Sequence, residues 1–367
     1  MKITRSYQQT NTGLNIAACD THTMAAVRND LWVMCDNNFC GQTGLDKVYI
    51  RTFTKVDHPF DDSGIKSIAC HEKCSMVLTN LGNIFISGEF NGYISPRFVQ
   101  IDTLSNIHLI KCIGKKFFMV GGYDVTVHIF GDTMYSVSLG LHIDEINQIF
   151  HLSDREVILE TGKGIQTYSI LSDYTVPKSF SLEICDLQGT RNTDFISLCE
   201  GMMRIEYLDI LENRYRMLLL VKLSTLDDTE EKYYILAGRY IHKILNMNGM
   251  CLNNPRIFSG PSNTFYLCNE TSYGGINLHK LKLKFYDNSV MVSSTKISTI
   301  GFFNEKINNI VVSSSQKFFV FENSVYCDNE PYESDAVGCD GRSFRIHPFL
   351  TELLHSTQII SRTKKAT

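Results

Sequence analysis

The chain has 367 residues, with Lys+Arg 35 against Asp+Glu 39 and a net charge of -4, which argues against nucleic-acid binding through bulk phosphate neutralisation. Hydrophobic residues make up 43% and charged residues 20%, so the chain can bury a core and is not disordered by composition. Only 8 alanines, set against 22 Phe and 17 Tyr, favour a mostly β protein over a mainly helical one.

In chain order, Met1 to Gln9 carries no apolar h-region, so no secretory signal is expected. Lys2 to Gln8 reads as a strand that could close a ring of sheets. A paired pattern then recurs. Ile16-Ala17-Ala18-Cys19 leads to Trp32-Val33-Met34-Cys35-Asp36, and Ile68-Ala69-Cys70 leads to Ile84-Phe85-Ile86-Ser87-Gly88. Ile110-Lys111-Cys112 leads to His128-Ile129-Phe130-Gly131, and Ile149-Phe150 to Thr167-Tyr168-Ser169. The first mark stands at 19, 70, 112 and 150, in steps of 51, 42 and 38; the second stands at 36, 88, 131 and 169, in steps of 52, 43 and 38. Marks that move together are expected of hairpins whose length changes fall in the connecting loops. Gly82-Asn83 and Gly162-Lys163-Gly164 supply turn chemistry inside two of them.

From 180 to 300 the pattern weakens but still reads as antiparallel strands: Met203 to Leu211, Tyr215 to Leu223, Tyr233 to Ile244, Asn263 to Cys268 and Asn277 to Tyr286. A late copy joins Ile310-Val311-Val312 to Val325-Tyr326-Cys327-Asp328, and a segment after Gly338 is expected to close the ring with the N-terminus. Phe349, Leu350, Leu353 and Leu354 give the C-terminal stretch one apolar helical face, with Pro348 in the first turn. This helix is expected to pack on the propeller or, as the alternative, to offer Phe349, Leu353 and Leu354 as a partner contact. The expectation is an all-β, seven-bladed β-propeller of four-stranded antiparallel blades with a short C-terminal helix. Residues 1–360 form its single domain and 361–367 a flexible basic tail.

The first repeat resembles a known family. Ile16 to Thr23 is similar to a repeat opening in which Ile-Ala-Cys-Gly is followed by His. Cys35 to Leu45 resembles Trp-Gly-x-Asn-x-x-Gly-Gln-Leu-Gly, with Asn38, Gly41, Gln42 and Gly44 matching. This is the regulator-of-chromosome-condensation repeat family of propellers. The second repeat matches through Gly82 and Gly88, and the third keeps Gly131 at the second mark. The resemblance implies structural roles for His22 and these glycines, and places Lys73 and Lys115 at the positions equivalent to His22. It also implies two functions. The founding member is a guanine-nucleotide exchange factor for Ran, and other members are scaffolds or complex subunits. The short third and fourth repeats leave no evident room for the wedge hairpin that exchange employs.

Other motifs have plainer readings. Cys70, Glu72 and Cys74 would share one strand face with His71 opposite, but no Cys-x-x-Cys pair accompanies them, so core thiols are expected and no metal site. Gly162-Lys163-Gly164 lacks the context of a phosphate loop. Asp61-Asp62 and Asp227-Asp228 read as solvated turns. No catalytic constellation and no cofactor site stands out. The expected function is a non-enzymatic protein-interaction propeller, a scaffold or subunit of an assembly in the cytoplasm or nucleus. The alternative is an exchange factor for a Ran-like or Rab-like small GTPase. Protein partners are expected, with no membrane span.

Overall fold

The computed structural model describes residues 3–5, 13–57, 60–90, 92–113, 116–131, 134–152, 156–161, 164–170, 178–179, 204–213, 216–224, 231–237, 244–246, 255–259, 264–270, 276–282, 296–303, 305, 307–312, 317–328 and 345–355. Among them the strands form seven sheets, six of four strands and one of five. The architecture is all-β and of the propeller class, with one short α-helix among the described residues, covering 348–355, and a 3-10 turn at Ile143–Glu145. No helix among the described residues is long and apolar enough to cross a membrane. The basic tail 361–367 lies outside the described residues, as do Lys115, Gly162-Lys163 and Asp227-Asp228.

The chain divides into two compact units. One comprises Asn11–Lys178, Val311–Tyr332 and Phe344–Thr367. Its first sheet runs Leu14–Ala18, His22–Val27, Asp30–Cys35, Ile50–Val56, and its second Ile65–His71, Cys74–Thr79, Ile84–Phe90, Tyr93–Gln100. The third runs Ile107–Ile113, Lys116–Gly121, Asp124–Phe130, Met134–His142. The fourth adds Ile146–Leu152, Glu156–Thr161 and Gly164–Ser169. Thr161 pairs with Gly164 at the end of its second and third strands.

The second strand of each sheet explains the stacking order. Every residue of His22–Val27 and Cys74–Thr79 is buried. Because successive side chains point to opposite faces, each strand serves two neighbours. Met24 and Ala26 pack toward the second sheet, and Ala25 and Val27 toward the last. Val77 faces back to the first sheet while Met76 and Leu78 face the third. Phe117 and Met119 face the second sheet, and Phe118 and Val120 the fourth. Backbone bonds at the sheet junctions repeat the scheme. In the first three sheets the turn after the second strand accepts a bond from residues at or just before the next sheet: Ile65 N–H to Arg28 O, Ile107 N–H to Gly82 O at 3.1 Å, Ile143 N–H to Tyr123 O at 3.3 Å. One contact thus recurs at these three junctions.

Lys317–Phe321, Val325–Asp328 and Arg345–Ile346 belong to the last sheet. The helix beginning at Pro348 lies over this sheet and the first. The His347 carbonyl accepts from Thr351 N–H at 3.0 Å, His347 Nδ1 from Leu350 N–H at 3.3 Å, and Thr351 Oγ1 from Val325 N–H at 3.0 Å.

The other unit comprises Met1–Thr10, Ser179–Ile310 and Glu333–Ser343. It holds Arg204–Asn213, Arg216–Ser224, Glu231–Ala237 and Ile244–Asn246 in one sheet, and Arg256–Ser259, Thr264–Glu270, Ile276–Lys282 and Lys296–Phe303 in another. The N-terminal strand differs from the sequence expectation. Ile3–Arg5 pairs in parallel with Ile205 to Tyr207, whereas the segment after Gly338 supplies Arg345–Ile346 to the last sheet, opposite Cys327 and Tyr326. Three residues carry too little alternation to name a partner strand.

Candidate functional site

The ends of the first and second hairpins meet around one histidine. Cys19 N–H donates to the His22 carbonyl at 3.0 Å, closing a two-residue turn at Asp20-Thr21. In the second hairpin His71 pairs with Cys74 across Glu72-Lys73. Thr21 Oγ1 donates to the Glu72 carbonyl at 2.8 Å and ties the two turns together. His22 is 3% exposed. Its Nε2 lies 2.6 Å from Ser75 Oγ, itself fully buried, and its Nδ1 lies 3.1 Å from Cys19 Sγ and 3.0 Å from Thr21 Oγ1. Cys70 completes the group, and the ligand atoms of Cys19, His22 and Cys70 all lie within 4.8 Å of one another.

The electrostatics of the thiols diverge. A hydrogen bond from Cys70 outweighs burial and, with the His22 contact, brings the Cys19 thiol down to about 3. Cys70 moves well up because it donates that bond and because it is buried. Burial pushes Cys74 and Cys112 up to about 12. Cys19 is therefore the more acidic thiol of the pair.

Beside this cluster a cleft of 370 Å³ opens between His71, Lys73, Glu89, Phe90, Phe117 and Phe130. Lys73 Nζ contacts both Glu89 oxygens at 2.9 and 3.0 Å, an exposed pair that adds little stability. Gly131 forms part of the wall, directly after its strand.

The remaining repeat residues build the loop after the third strand of the first sheet. Buried Asn38 donates from Nδ2 to the carbonyls of Leu45 and Lys47 at 2.6 and 2.8 Å, and its Oδ1 accepts from Thr43 N–H at 3.0 Å. Gln42 donates to the Asn37 carbonyl, while its own carbonyl accepts from Ser87 Oγ at 3.0 Å. Gly41 and Gly44 have φ of +72° and +73°. A Cβ would stand 2.6 Å from Pro96 Cα at Gly41 and 2.6 Å from the Phe98 ring at Gly44, so glycine serves both the backbone angle and the close approach. At Gly82 a Cβ would likewise stand 2.8 Å from Ile107 N and 2.9 Å from Asn106 Cα. Gly88, at φ +102°, sits where the register shifts between Ile86 and Gly88.

Several sequence expectations change. Cys70, Glu72 and Cys74 do not share a strand face, because the strand ends at His71 and Glu72-Lys73 is the turn. The hairpin register also puts Cys74, not Lys73, in the place His22 holds in the first hairpin. A register shift between Ile65 and Ser67 offsets the sequence alignment by one residue. His22 reaches the neighbouring sheet through the Ser75 side chain. Asp61 is no merely solvated turn residue. Its Oδ1 accepts from Ser63, and its Oδ2 from Thr79 Oγ1 at 2.6 Å and Asn83 Nδ2 at 2.8 Å. The helix face offered as a partner contact is occupied by the chain itself. Leu354 is fully buried, and Phe349 stacks on Phe53 at 5.3 Å and meets Trp32 edge-on at 5.0 Å. Leu353 is half-buried against the same core.

Sequence reasoning did not join Cys19, His22 and Cys70. The available signal was the spacing: Cys19 to Cys70 is 51 residues and His22 to Ser75 is 53, both close to the first repeat step.

No family model matches the sequence, and no curated protein matches it. Solved structures with similar folds include Prp20p from Saccharomyces cerevisiae, described with its binding to Gsp1p and histones. It shares 12% identity over 85% of this chain and 70% of its own, with a TM-score of 0.42. Human WBSCR16 shares 10% over 88% and 77%, with a TM-score of 0.41. The computationally designed Ika8 protein shares 10% over 94% and 89%, with a TM-score of 0.45. Likenesses at this level carry no functional argument.

Proposed function

We propose that this chain is a divergent member of the regulator-of-chromosome-condensation repeat family acting as a non-enzymatic protein-interaction propeller, a scaffold or subunit of a cytoplasmic or nuclear assembly. The observation that carries the reading is apolar surface on outer strands. Tyr93 and Ile94 are 73% and 62% exposed at the start of Tyr93–Gln100, and Met134 and Tyr135 are exposed on Met134–His142. Aromatic and large aliphatic side chains held on rigid strands suit the anchors of a protein interface. Pro96 blunts the open edge beside them, so the side chains and not the backbone ladder are offered to a partner.

The test is quantitative co-purification from the source cell with the wild-type chain and the double variant Tyr93→Ser, Ile94→Ser. A stoichiometric partner retained by the first and lost by the second is expected. Identical partner sets, or a monomer in both cases, would refute the reading.

The repeat resemblance at Ile16–Thr23 and Cys35–Leu45 supports a second reading, an exchange factor for a Ran-like or Rab-like GTPase. Prying open a nucleotide site needs a projecting element, and the short third and fourth repeats offer no evident one. The chain alone is expected to leave release of a fluorescent guanine nucleotide from Ran of the same source unchanged. A large acceleration abolished by His22→Ala would promote the exchange-factor reading.

A further inference from the structure

We propose that Cys19, His22 and Cys70 form a binding site for one zinc ion that bridges the first and second sheets. The donor set is of the right chemistry: two sulfurs and one imidazole are ligands that zinc selects. The spacing also suits it. Tetrahedral coordination with Zn–S near 2.3 Å and Zn–N near 2.0–2.1 Å leaves ligand atoms roughly 3.5–3.8 Å apart, and here the three atoms fall within 4.8 Å of one another, with Cys19 Sγ 3.1 Å from His22 Nδ1. Small side-chain adjustments suffice to admit the ion.

The second set of contacts is already built. Nε2–H of His22 can donate to Ser75 Oγ at 2.6 Å, which leaves the lone pair on Nδ1, facing the sulfurs. A histidine ligand is characteristically oriented by such a bond on its other nitrogen. Thr21 Oγ1, 3.6 Å from Cys19 Sγ and 3.0 Å from Nδ1, is a further oxygen at the cluster. His22 and Cys70 are buried, whereas Cys19 is half-buried and gives the ion a route in. Binding displaces the thiol protons of the pair to solvent, so affinity falls as pH is lowered.

The test uses the full, reduced chain and adds Zn2+ or Co2+ alone. One equivalent of metal should bind, cobalt should give thiolate charge-transfer and tetrahedral visible bands, and zinc should raise the melting temperature. Zinc should also shield half-buried Cys19 from alkylation in the wild-type chain while half-buried Cys40 stays reactive, a readout that needs no variant to fold. Ser75→Ala should weaken binding about 10–100-fold without changing the stoichiometry. The proposal is overturned if the reduced chain takes up no metal, or if uptake is undiminished in the double variant Cys19→Ser, Cys70→Ser. It is equally overturned if a Cys19–Cys70 disulfide forms in air while reduced Cys19 shows no shielding by zinc.

Discussion

Gly88 and Gly92 differ by four residues in one sheet, and the same substitution should separate them sharply. Both have positive φ, +102° and +76°, so alanine meets a backbone cost of about 1–2 kcal/mol at either position. At Gly92 a Cβ would find nothing within 4 Å. Restricting the unfolded chain returns about 0.4–1 kcal/mol, so Gly92→Ala should cost under about 1.5 kcal/mol. At Gly88 a Cβ would overlap the Lys73 carbonyl oxygen and stand 2.7 Å from Cys74 Cα. Both are backbone atoms at the hairpin end that opens the paired strand, where Glu89 N–H also bonds the Lys73 carbonyl at 2.9 Å. They cannot swing aside as a flexible side chain would, and forced overpacking adds about 1–3 kcal/mol. Gly88→Ala should therefore cost about 2–4 kcal/mol in all. The assay is urea unfolding followed by fluorescence of the single tryptophan, Trp32, which lies in the same unit. Losses equal within about 0.5 kcal/mol, the usual scatter between innocuous surface changes, would refute the close-approach argument.

Asp61→Ala should cost about 1–3 kcal/mol at neutral pH, because fully buried Thr79 loses a charged acceptor. Burial opposes the Asp61 carboxylate, but the bonds from Ser63, Thr79 and Asn83 outweigh it and hold its pKa below the ordinary value. Its stabilisation is thus complete above the unfolded carboxylate pKa of about 3.9 and lost as pH falls through the lower folded value, so wild type and variant should converge there in acid melts. Phe349→Ala removes the stack on Phe53 and the edge contact with Trp32; a loss of about 2–4 kcal/mol is expected, with a shift in Trp32 emission. Arg28, exposed and at φ +55°, is one of two described non-glycine residues at positive φ. Arg28→Gly should leave stability unchanged or raise it by up to about 1 kcal/mol in the same urea assay.

The hairpins of the first three sheets were legible because their strands are buried on alternating or both faces, and such runs survive repeat divergence. Ile68-Ala69-Cys70 and Ile84 to Gly88 fall inside observed strands for that reason. The register at a hairpin end was not legible. One residue of slip between Ile65 and Ser67 moved the histidine equivalence from Lys73 to Cys74, and sequence spacing does not report such a slip. The Cys19, His22 and Cys70 group required knowing that two hairpin ends adjoin side by side, a tertiary fact. The strand Tyr233 to Ile244 was read too long, since it breaks into Glu231–Ala237 and Ile244–Asn246, and apolar residues alone do not mark a turn.

The packing of Leu350 and Leu354 against Leu14, Ala25 and Val27 has a consequence for biosynthesis. A ribosome adding about 5–20 residues per second needs roughly 16–65 s to advance from Val27 to Leu354. Throughout that interval one face of the strand His22–Val27 has emerged without its cover. The nascent chain therefore exposes an apolar strand early and hides it last, so newly made and prematurely terminated chains should depend on chaperones far more than the finished protein does.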